Sequence, residues 1–429
     1  KQLWLKACVC VCTLGIPPVC GANIIASMVP QPPAARLLGA LHVAAGLLAS
    51  TEPGPRRLDG GPLSLVSLRD VDPRAVCTDG SPAAYYWKAA VAAPSQGNRR
   101  TWLVHLQGGG WCASKEDCRR RCTRKRHKCS SHDWPSTWMR RGLFSDAVLQ
   151  DAIKVYVRYC TSDAHMGDAA AFGQQFRGER VVRAVLLDLV QRRGLGWNPV
   201  GKKDLLILSG GSAGARGAMV HLDTVPEMLG AAAARVDVVG FLDSPLFIDM
   251  PPFSSSARSL ASITRSVHSF ANVRHLGAEC SSAFAEQEQW KCMFGEYRLP
   301  FVRTPYLIVA AQYDGYQLGH NVGHKPATDV ELAYAVGFAS RTQAVLHKLS
   351  KSRSSVAIFS PACFSHNMCE SDAGLLRRPN TNGTTMIKAL QQFLARSVSA
   401  NASAEGVNGG NDLAWIDDCL GFACGAGCM

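Results

Sequence analysis

Residues 205–217 read LLILSGGSAGARG, and this stretch decides the fold. Its aliphatic first half predicts a buried strand, and a helix is predicted from Ala215 onward. Between the two, Ser212 is flanked by Gly210 and Gly214 in a G-x-S-x-G pattern. Between a strand and a helix this pattern predicts a nucleophile elbow, a tight turn that exposes a reactive serine hydroxyl. The alternative is a glycine-rich turn that carries an idle serine.

Apolar strands and amphipathic helices alternate from about residue 62 to the end of the chain. This alternation predicts an α/β fold with a mostly parallel central sheet flanked by helices. The serine-rich stretch 251–290 has no clear periodicity and is predicted to be irregular. We expect 62–429 to form a single domain with a cysteine-rich C-terminal tail. The predicted strands are 101–106, 152–160, 204–209, 235–242, 305–312 and 354–360, and the predicted helices are 176–194, one from Ala215, 329–349 and 384–398.

A serine hydroxyl needs a base to take its proton and an acid to orient that base. In α/β-hydrolases these residues follow the serine in the order acid, then histidine, on loops after strands. Asp314 and His366 obey this order, and each follows a predicted strand. Asp243 also ends a predicted strand and competes for the role of the acid. We favour Asp314, because it follows the penultimate strand, and expect Asp243 to line the substrate pocket.

The glycines of the stretch HLQGGGWC, residues 105–112, directly follow a predicted strand. A glycine loop at this position supplies backbone N–H groups to the oxyanion in esterases and lipases. Gly109 and Gly110, together with the amide of Ala213, are the predicted oxyanion hole. The alternative is a turn that needs glycine only for its backbone conformation.

The chain of 429 residues carries a formal net charge of +13 and is 47% hydrophobic, so it can bury a large core and favours anionic partners. Its densest basic run, Cys118 to Cys129, lacks the aromatic side chains expected of a single-strand nucleic-acid binder. We therefore expect no nucleic-acid partner. The run is predicted to be a solvated loop tied by disulfides, with a polyanion-binding patch as the alternative.

Met28 is a natural start, and 28–50 has the basic beginning and apolar centre of a signal peptide. Residues 1–27 are then an uncertain upstream segment, in which an apolar stretch leaves a membrane anchor possible. Thirteen of the 17 cysteines follow Met28, an odd number, which predicts a disulfide framework with at least one unpaired thiol. Zinc held by Cys118, Cys122, Cys129 and the neighbouring His127 and His132 is the alternative, but no C-x-x-C pair supports it.

Several long stretches of the sequence resemble the pectin acetylesterase and Notum family of secreted serine carboxylesterases. The resemblance runs from about Leu63 to the end of the chain. It includes WLVHLQGGGWC, DWPST, VRYCTSDAHMGD, FRGERVVRAVLLDL, LLILSGGSAGARGAM, FLDSPLFID, TPYLIVAAQYDGYQL, FSPACFSHNMC and WIDDCLGFACGAGC.

The resemblance implies an α/β-hydrolase fold and a triad that falls on Ser212, Asp314 and His366. It also implies disulfides between Cys112 and Cys118 and between Cys280 and Cys292. The chain departs from the family pattern at Arg216, which replaces a small residue. With Trp111 and Asp243, Arg216 is an expected substrate-binding residue, because an arginine facing the cleft would suit an acidic sugar; the alternative is an arginine that faces solvent and has no such role.

These observations predict a secreted serine carboxylesterase that removes O-acetyl groups from an acidic polysaccharide in the cell wall or extracellular matrix. The first alternative is the palmitoleoyl ester of a secreted signalling protein, which needs a deep apolar pocket. The second is a non-catalytic glycan-binding protein of the extracellular space. No metal or organic cofactor is implied, and we expect a monomer with no stable membrane partner.

Overall fold

The alternating strands and helices of the sequence build one large sheet in the computed structural model, which describes residues 61–90, 99–199, 201–352, 355–370, 380–400 and 413–428. The described residues belong to one compact unit that extends from Arg57 to Met429. The predicted upstream segment 1–27 and signal peptide 28–50 lie outside the described residues.

Ten strands of the described part of the chain form the central sheet, in the order β16-β12-β10-β9-β8-β3-β5-β2-β1-β4. The seven strands from β16 to β5 run parallel, and β2, β1 and β4 continue the sheet antiparallel. The predicted fold class is therefore confirmed. The strands of this sheet are β1 (Leu63–Ser67), β2 (Ala84–Lys88), β3 (Thr101–Leu106), β4 (Thr137–Trp138), β5 (Ile153–Val157), β8 (Asp204–Gly211), β9 (Val236–Asp243), β10 (Tyr306–Val309), β12 (Val356–Ser360) and β16 (Ala414–Ile416).

Helices cover the sheet, and within the described ranges three small strand pairs lie outside it. The helices are α1 (Lys115–Arg124), α2 (Gly178–Arg192), α3 (Ala213–His221), α4 (Val225–Leu229), α5 (Leu260–Phe270), α6 (Ala278–Ser282), α7 (Gly295–Arg298), α8 (Gly315–Val322), α9 (Asp329–Ser352) and α10 (Met386–Ala400). The small pairs are β6 (Ala169–Ala171) with β7 (Gln174–Phe176), β11 (Tyr313–Asp314) with β13 (Phe364–Ser365), and β14 (Asn380–Thr381) with β15 (Thr384–Thr385).

Both faces of the parallel sheet are buried, which explains why its strands are continuous apolar runs. On β3, Val104 and Leu106 belong to the core that α2, α3 and α9 cover. Leu103, directly before Val104, points to the second core, which is covered by α10 and by residues 143–152. Because side chains of a strand alternate between faces, a strand buried on both sides shows no polar alternation.

Two predictions of local structure are wrong. Residues 251–290 are not irregular throughout, because they contain α5, α6 and part of a 3₁₀ segment at Glu286–Met293. The basic run is not a loop: most of it belongs to α1, which begins at a Ser114 cap whose hydroxyl accepts a hydrogen bond from the Asp117 amide. The helix after Ser212, α3, begins at Ala213, two residues before the predicted start.

Six disulfides cross-link the described residues, and Cys369 is a buried free thiol. The expected pairs Cys112–Cys118 and Cys280–Cys292 are present. The other four are Cys77–Cys160, Cys122–Cys129, Cys363–Cys428 and Cys419–Cys424. Cys118, Cys122 and Cys129, the sulfur ligands of the alternative zinc site, are thus all in disulfides. Within the described residues, no helix is both long and apolar enough to cross a bilayer.

Candidate active site

Ser212 lies at the turn between β8 and α3, at the carboxyl edge of the parallel strands. Its backbone has φ +53° and ψ −118°, a conformation that non-glycine residues adopt only under constraint. A Cβ at Gly214 would collide with the carbonyl oxygen of Leu106, and a Cβ at Gly210 would collide with the backbone of Gly214. The two glycines are therefore required for the close approach of α3 to the strands, as the G-x-S-x-G pattern predicts.

A pair of short parallel strands positions His366 next to Ser212. β11 and β13 pair Asp314 with Ser365, so the residue after β13 lies beside the carboxylate at the end of β11. The Ser212 Oγ and His366 Nε2 atoms are 2.7 Å apart, and His366 Nδ1 is 2.7 Å from Asp314 Oδ2. With the proton on Nδ1, the imidazole donates a hydrogen bond to Asp314 Oδ2, and its Nε2 accepts a hydrogen bond from the Ser212 hydroxyl. The structure thus brings the three predicted residues together in the predicted order.

Asp314 is also the N-cap of α8. Its second oxygen, Oδ1, accepts a hydrogen bond of 2.8 Å from the Gln317 amide. A helix N-terminus stabilises a carboxylate, both through free N–H groups and through the helix dipole. One carboxylate therefore fixes the start of α8 and the orientation of His366.

The imidazole of His366 is surrounded by groups that act on its pKa in opposite directions. Burial disfavours the charged imidazolium, but the Asp314 carboxylate outweighs burial, so the pKa of His366 is raised above its ordinary value. Tyr316 stacks on the ring at 5.4 Å between centroids and covers one face. His366 is consequently a stronger base than an isolated histidine.

Asp243 does not line a substrate pocket. Its side chain is 0% exposed, and its carboxylate accepts hydrogen bonds from the Ser244 hydroxyl and the Cys369 amide. Its backbone carbonyl accepts from the Ser212 amide at 2.8 Å. Asp243 therefore joins the serine turn to the loop that carries His366. The expectation that it lines the substrate pocket is wrong, because its side chain is fully buried.

The glycine loop after β3 approaches Ser212 closely, since a Cβ at Gly108 would lie 3.1 Å from the Ser212 Cβ. The Gly108 amide is occupied, because it donates to Glu370 Oε1 at 3.2 Å. Among the described residues, none accepts a hydrogen bond from the N–H groups of Gly109, Gly110 or Ala213, and the Trp111 amide is equally free. These N–H groups remain available to a ligand at the serine.

Glu370, which the sequence analysis missed, connects the glycine loop to the histidine loop. Besides the Gly108 amide, its carboxylate contacts His105 Nε2 at 3.0 Å and Arg140 Nη2 at 3.2 Å. Burial opposes its ionisation, but His105 and Arg140 outweigh burial and lower the pKa of Glu370 to about 2. Its position four residues after His366 was the only signal, and a surface glutamate would give the same one.

Arg216 does not face an open cleft either. It is 2% exposed, and its guanidinium lies 3.9 Å from the ring centre of Trp111 and 4.1 Å from that of Phe247. Nε and Nη2 donate to the carbonyl of Met293, and no carboxylate pairs with it in the described part of the chain. Burial accordingly lowers the pKa of Arg216 to about 9. Its place between two aromatic rings, one of them Trp111, leaves it no contact with an acidic sugar in this conformation.

A nucleophile elbow at the carboxyl edge of a mostly parallel sheet, with an acid and a histidine following in chain order, defines the α/β-hydrolase class. Two crystal forms of the Wnt deacylase Notum from Drosophila share this fold, with TM-scores of 0.73 and 0.74 at 24% sequence identity. Each alignment covers 86% of this chain and 100% of the crystallised chain. The chain belongs to the pectinacetylesterase family, whose model matches residues 61–418.

Characterised relatives carry two kinds of name. The palmitoleoyl-protein carboxylesterase Notum of Mus musculus is 30% identical over 311 residues, which are 68% of this chain and 58% of the mouse protein. Pectin acetylesterase 11 of Arabidopsis thaliana is 26% identical over 362 residues, which are 78% of this chain and 88% of the plant protein. The chain thus spans less than two thirds of the mouse relative's length.

Proposed function

We propose that this protein is a secreted serine carboxylesterase that removes O-acetyl groups from an acidic polysaccharide. The observation that carries the proposal is the continuous hydrogen-bonded relay from Ser212 Oγ through His366 to Asp314, with both contacts at 2.7 Å. A constrained serine, a base of raised pKa and a buried acid in this order are the parts of an acyl-transfer site.

The reaction proceeds in two half-reactions. Ser212 Oγ attacks the ester carbonyl while His366 Nε2 takes its proton, and Asp314 stabilises the resulting imidazolium. The tetrahedral intermediate collapses when His366 returns the proton to the leaving sugar hydroxyl, which leaves an acetyl group on Ser212. A water molecule, deprotonated by the same imidazole, then releases acetate and regenerates the serine.

The oxyanion of each tetrahedral intermediate would bind to the free N–H groups of Gly109, Gly110 and Ala213. Because these donors are fixed by the loop and by the first turn of α3, they need no reorganisation when charge develops. Loss of one such donor typically costs about 3 kcal/mol of transition-state stabilisation.

A short acyl group is favoured by the position of Arg216. Its guanidinium fills the space between Trp111 and Phe247, and Phe247 stacks on Tyr316, which in turn stacks on His366. The aromatic cluster beside the triad is therefore closed by a charged group where a long acyl chain would need apolar space. Trp111 would contact the acetyl group or the adjoining sugar ring.

The net charge, the disulfides and the name of one relative support an acidic polymer and an extracellular location. The formal net charge of +13 would concentrate a polyanion near the surface. Six disulfides in the described residues suit an oxidising compartment. One relative is named a pectin acetylesterase, so pectin is the first polymer to test.

A palmitoleoyl-protein substrate is the second candidate, because the Notum relatives carry that name and the Notum structures share the fold. Turnover of p-nitrophenyl acetate and p-nitrophenyl octanoate by the wild type and Ser212→Ala distinguishes the possibilities. We expect acetate to be preferred and Ser212→Ala to be inactive. A strong preference for octanoate would favour the second candidate, and equal background rates for both proteins would favour a non-catalytic glycan-binding role.

A further inference from the structure

Lys128 places its ammonium directly on the glycine loop. It ends the 3₁₀ turn Arg126–Lys128 that follows α1, and the adjacent disulfide Cys122–Cys129 ties this turn to the helix. Its Nζ donates a hydrogen bond of 2.8 Å to the carbonyl oxygen of Gly108. Part of the basic run therefore points inward, toward the candidate active site.

The carbonyl that Lys128 binds belongs to the same amide as the N–H of Gly109. The two groups share one planar, conjugated peptide unit. A cation on the carbonyl oxygen withdraws electron density from that unit and makes its N–H a stronger donor, since hydrogen bonds in a chain polarise one another. The Gly109 N–H has no acceptor among the described residues and so is the free end of this chain.

The ammonium also holds the loop in place. Gly109 has φ +142°, and a Cβ there would lie 2.7 Å from Lys128 Nζ. Lys128 thus occupies the space that a side chain at Gly109 would need. On the amino side of Gly108, the carboxylate of Glu370 accepts a hydrogen bond from the Gly108 N–H. The carboxylate thus fixes the Gln107–Gly108 amide and the ammonium fixes the Gly108–Gly109 amide, so both peptide units of Gly108 are held in place.

We propose that Lys128 is a positioning residue of the oxyanion hole, whose positive charge fixes and polarises the Gly108–Gly109 amide so that the Gly109 N–H binds the tetrahedral intermediate more strongly. This inference rests on the proposed esterase function. Lys128 itself does not contact the reacting atoms; it acts through the amide.

The charge of Lys128 is sensitive to pH near neutrality. Burial lowers its pKa to about 8, the Glu370 carboxylate acts in the opposite direction, and nearby arginines reinforce burial. The titratable and charged groups around it are Glu370, Arg121, Arg140, Arg158, His127, His165 and Tyr159. Because a lysine loses its charge as the pH rises through its pKa, kcat/KM is expected to fall on the alkaline side of about pH 8.

The test compares the full-length wild type with Lys128→Met, Lys128→Arg and the matched control Lys125→Met, using p-nitrophenyl acetate between pH 6 and pH 9.5. Lys125 is an exposed lysine three residues earlier in the chain. We expect Lys128→Met to lower kcat about tenfold with little change in KM, and to lose the alkaline decline. Lys128→Arg should retain kcat and move the decline above the measured range, because arginine stays charged. Lys125→Met should resemble the wild type.

Two results would overturn the proposal. One is a wild-type profile that stays flat to pH 9.5, which needs no variant to fold. The other is a folded Lys128→Met, checked by circular dichroism, with kcat within twofold of the wild type or with the alkaline decline intact. If the wild type is no faster than Ser212→Ala, the esterase function is wrong and the role of Lys128 is wrong with it. If the wild type is active but gives one of the two results above, only the role of Lys128 is wrong.

Discussion

Asp314 sets both the orientation and the basicity of His366. Its Oδ2 holds Nδ1 at 2.7 Å, and its negative charge outweighs burial and raises the pKa of the imidazole. As general base, His366 acts only when neutral, so activity should decline as the pH falls through this raised pKa. The acid side of the pH profile therefore reports directly on the Asp314 carboxylate.

Replacement of Asp314 by asparagine removes the charge and keeps the size of the side chain. We expect kcat to fall by about 10⁴-fold, because an amide N–H can hold the imidazole in the wrong tautomer. The acid limb of the remaining activity should move to lower pH, since the group that raises the pKa of His366 is gone. Asp418→Asn, at a carboxylate that is 81% exposed, is the control. An unshifted acid limb in Asp314→Asn would argue against this role.

Arg216 is predicted to control the length of the acyl group. Truncation to alanine removes the guanidinium between Trp111 and Phe247 and opens apolar space beside the triad. We expect the ratio of octanoate to acetate kcat/KM to rise at least about tenfold, because each buried methylene contributes a factor of about ten or more. The matched control is Arg235→Ala. Arg235 stacks on Trp197 and directly precedes β9, at the end of that strand away from the candidate site. An unchanged ratio would exclude Arg216 from the acyl site.

Among the elements, the glycine loop and the histidine loop depend on each other through Glu370. One loop supplies the Gly108 amide and the other supplies the carboxylate, with His105 and Arg140 completing the contacts. Asp243 makes a second connection, from the serine turn to the Cys369 amide. The three loops of the candidate site therefore form one hydrogen-bonded unit.

Glu370→Gln should weaken this unit measurably. The folded pKa of Glu370, about 2, lies below its ordinary value of 4.5, so its ionisation stabilises the fold above pH 4.5 and this stabilisation is lost as the pH falls toward 2. We expect a loss of about 3 kcal/mol in the free energy of unfolding at pH 7, measured by urea denaturation. The difference from the wild type should shrink between pH 4.5 and pH 2. A constant difference across that range would contradict the assignment.

The elements that the sequence predicted are those with a clear apolar pattern. β3, β8 and β9 lie within two residues of their predicted bounds, because each is buried on both faces. In α1 only Cys118 is buried, so the helix has no apolar stripe; its Ser114 cap with Asp117 three residues later was the available signal. Arg216 and Asp243 were misplaced because sequence order fixes the element that carries a side chain, but not whether that side chain faces a cleft.

At the level of the whole molecule, disulfides connect segments that flank the strands of the sheet and hold the C-terminal tail. Cys77–Cys160 joins residues 83 apart and links the segment before β2 to the end of β5. Cys363–Cys428 anchors the C-terminal tail beside the histidine loop. The odd number of cysteines after Met28 predicted an unpaired thiol, and in the described part of the chain that thiol is the buried Cys369. Which cysteines pair depends on the fold, so the four remaining disulfides could not be predicted from spacing.

The Cys77–Cys160 disulfide should contribute strongly to stability. Its long loop restricts the unfolded chain, so the double variant Cys77→Ser/Cys160→Ser should lose about 2–5 kcal/mol in the free energy of unfolding. The short Cys419–Cys424 disulfide, which joins residues only 5 apart, is the control and should contribute less. Chemical denaturation of both double variants under oxidising conditions measures the difference. Equal losses would show that loop length does not determine the effect.

The relay itself is tested most directly by covalent labelling. A fluorophosphonate probe reacts with a serine only where a neighbouring base activates the hydroxyl, and peptide mass spectrometry locates the adduct. We predict one adduct, on the peptide that contains Ser212, with a labelling rate that rises as His366 is deprotonated and is lost in His366→Ala. An unlabelled Ser212, or labelling at an unchanged rate in His366→Ala, would contradict the proposed mechanism.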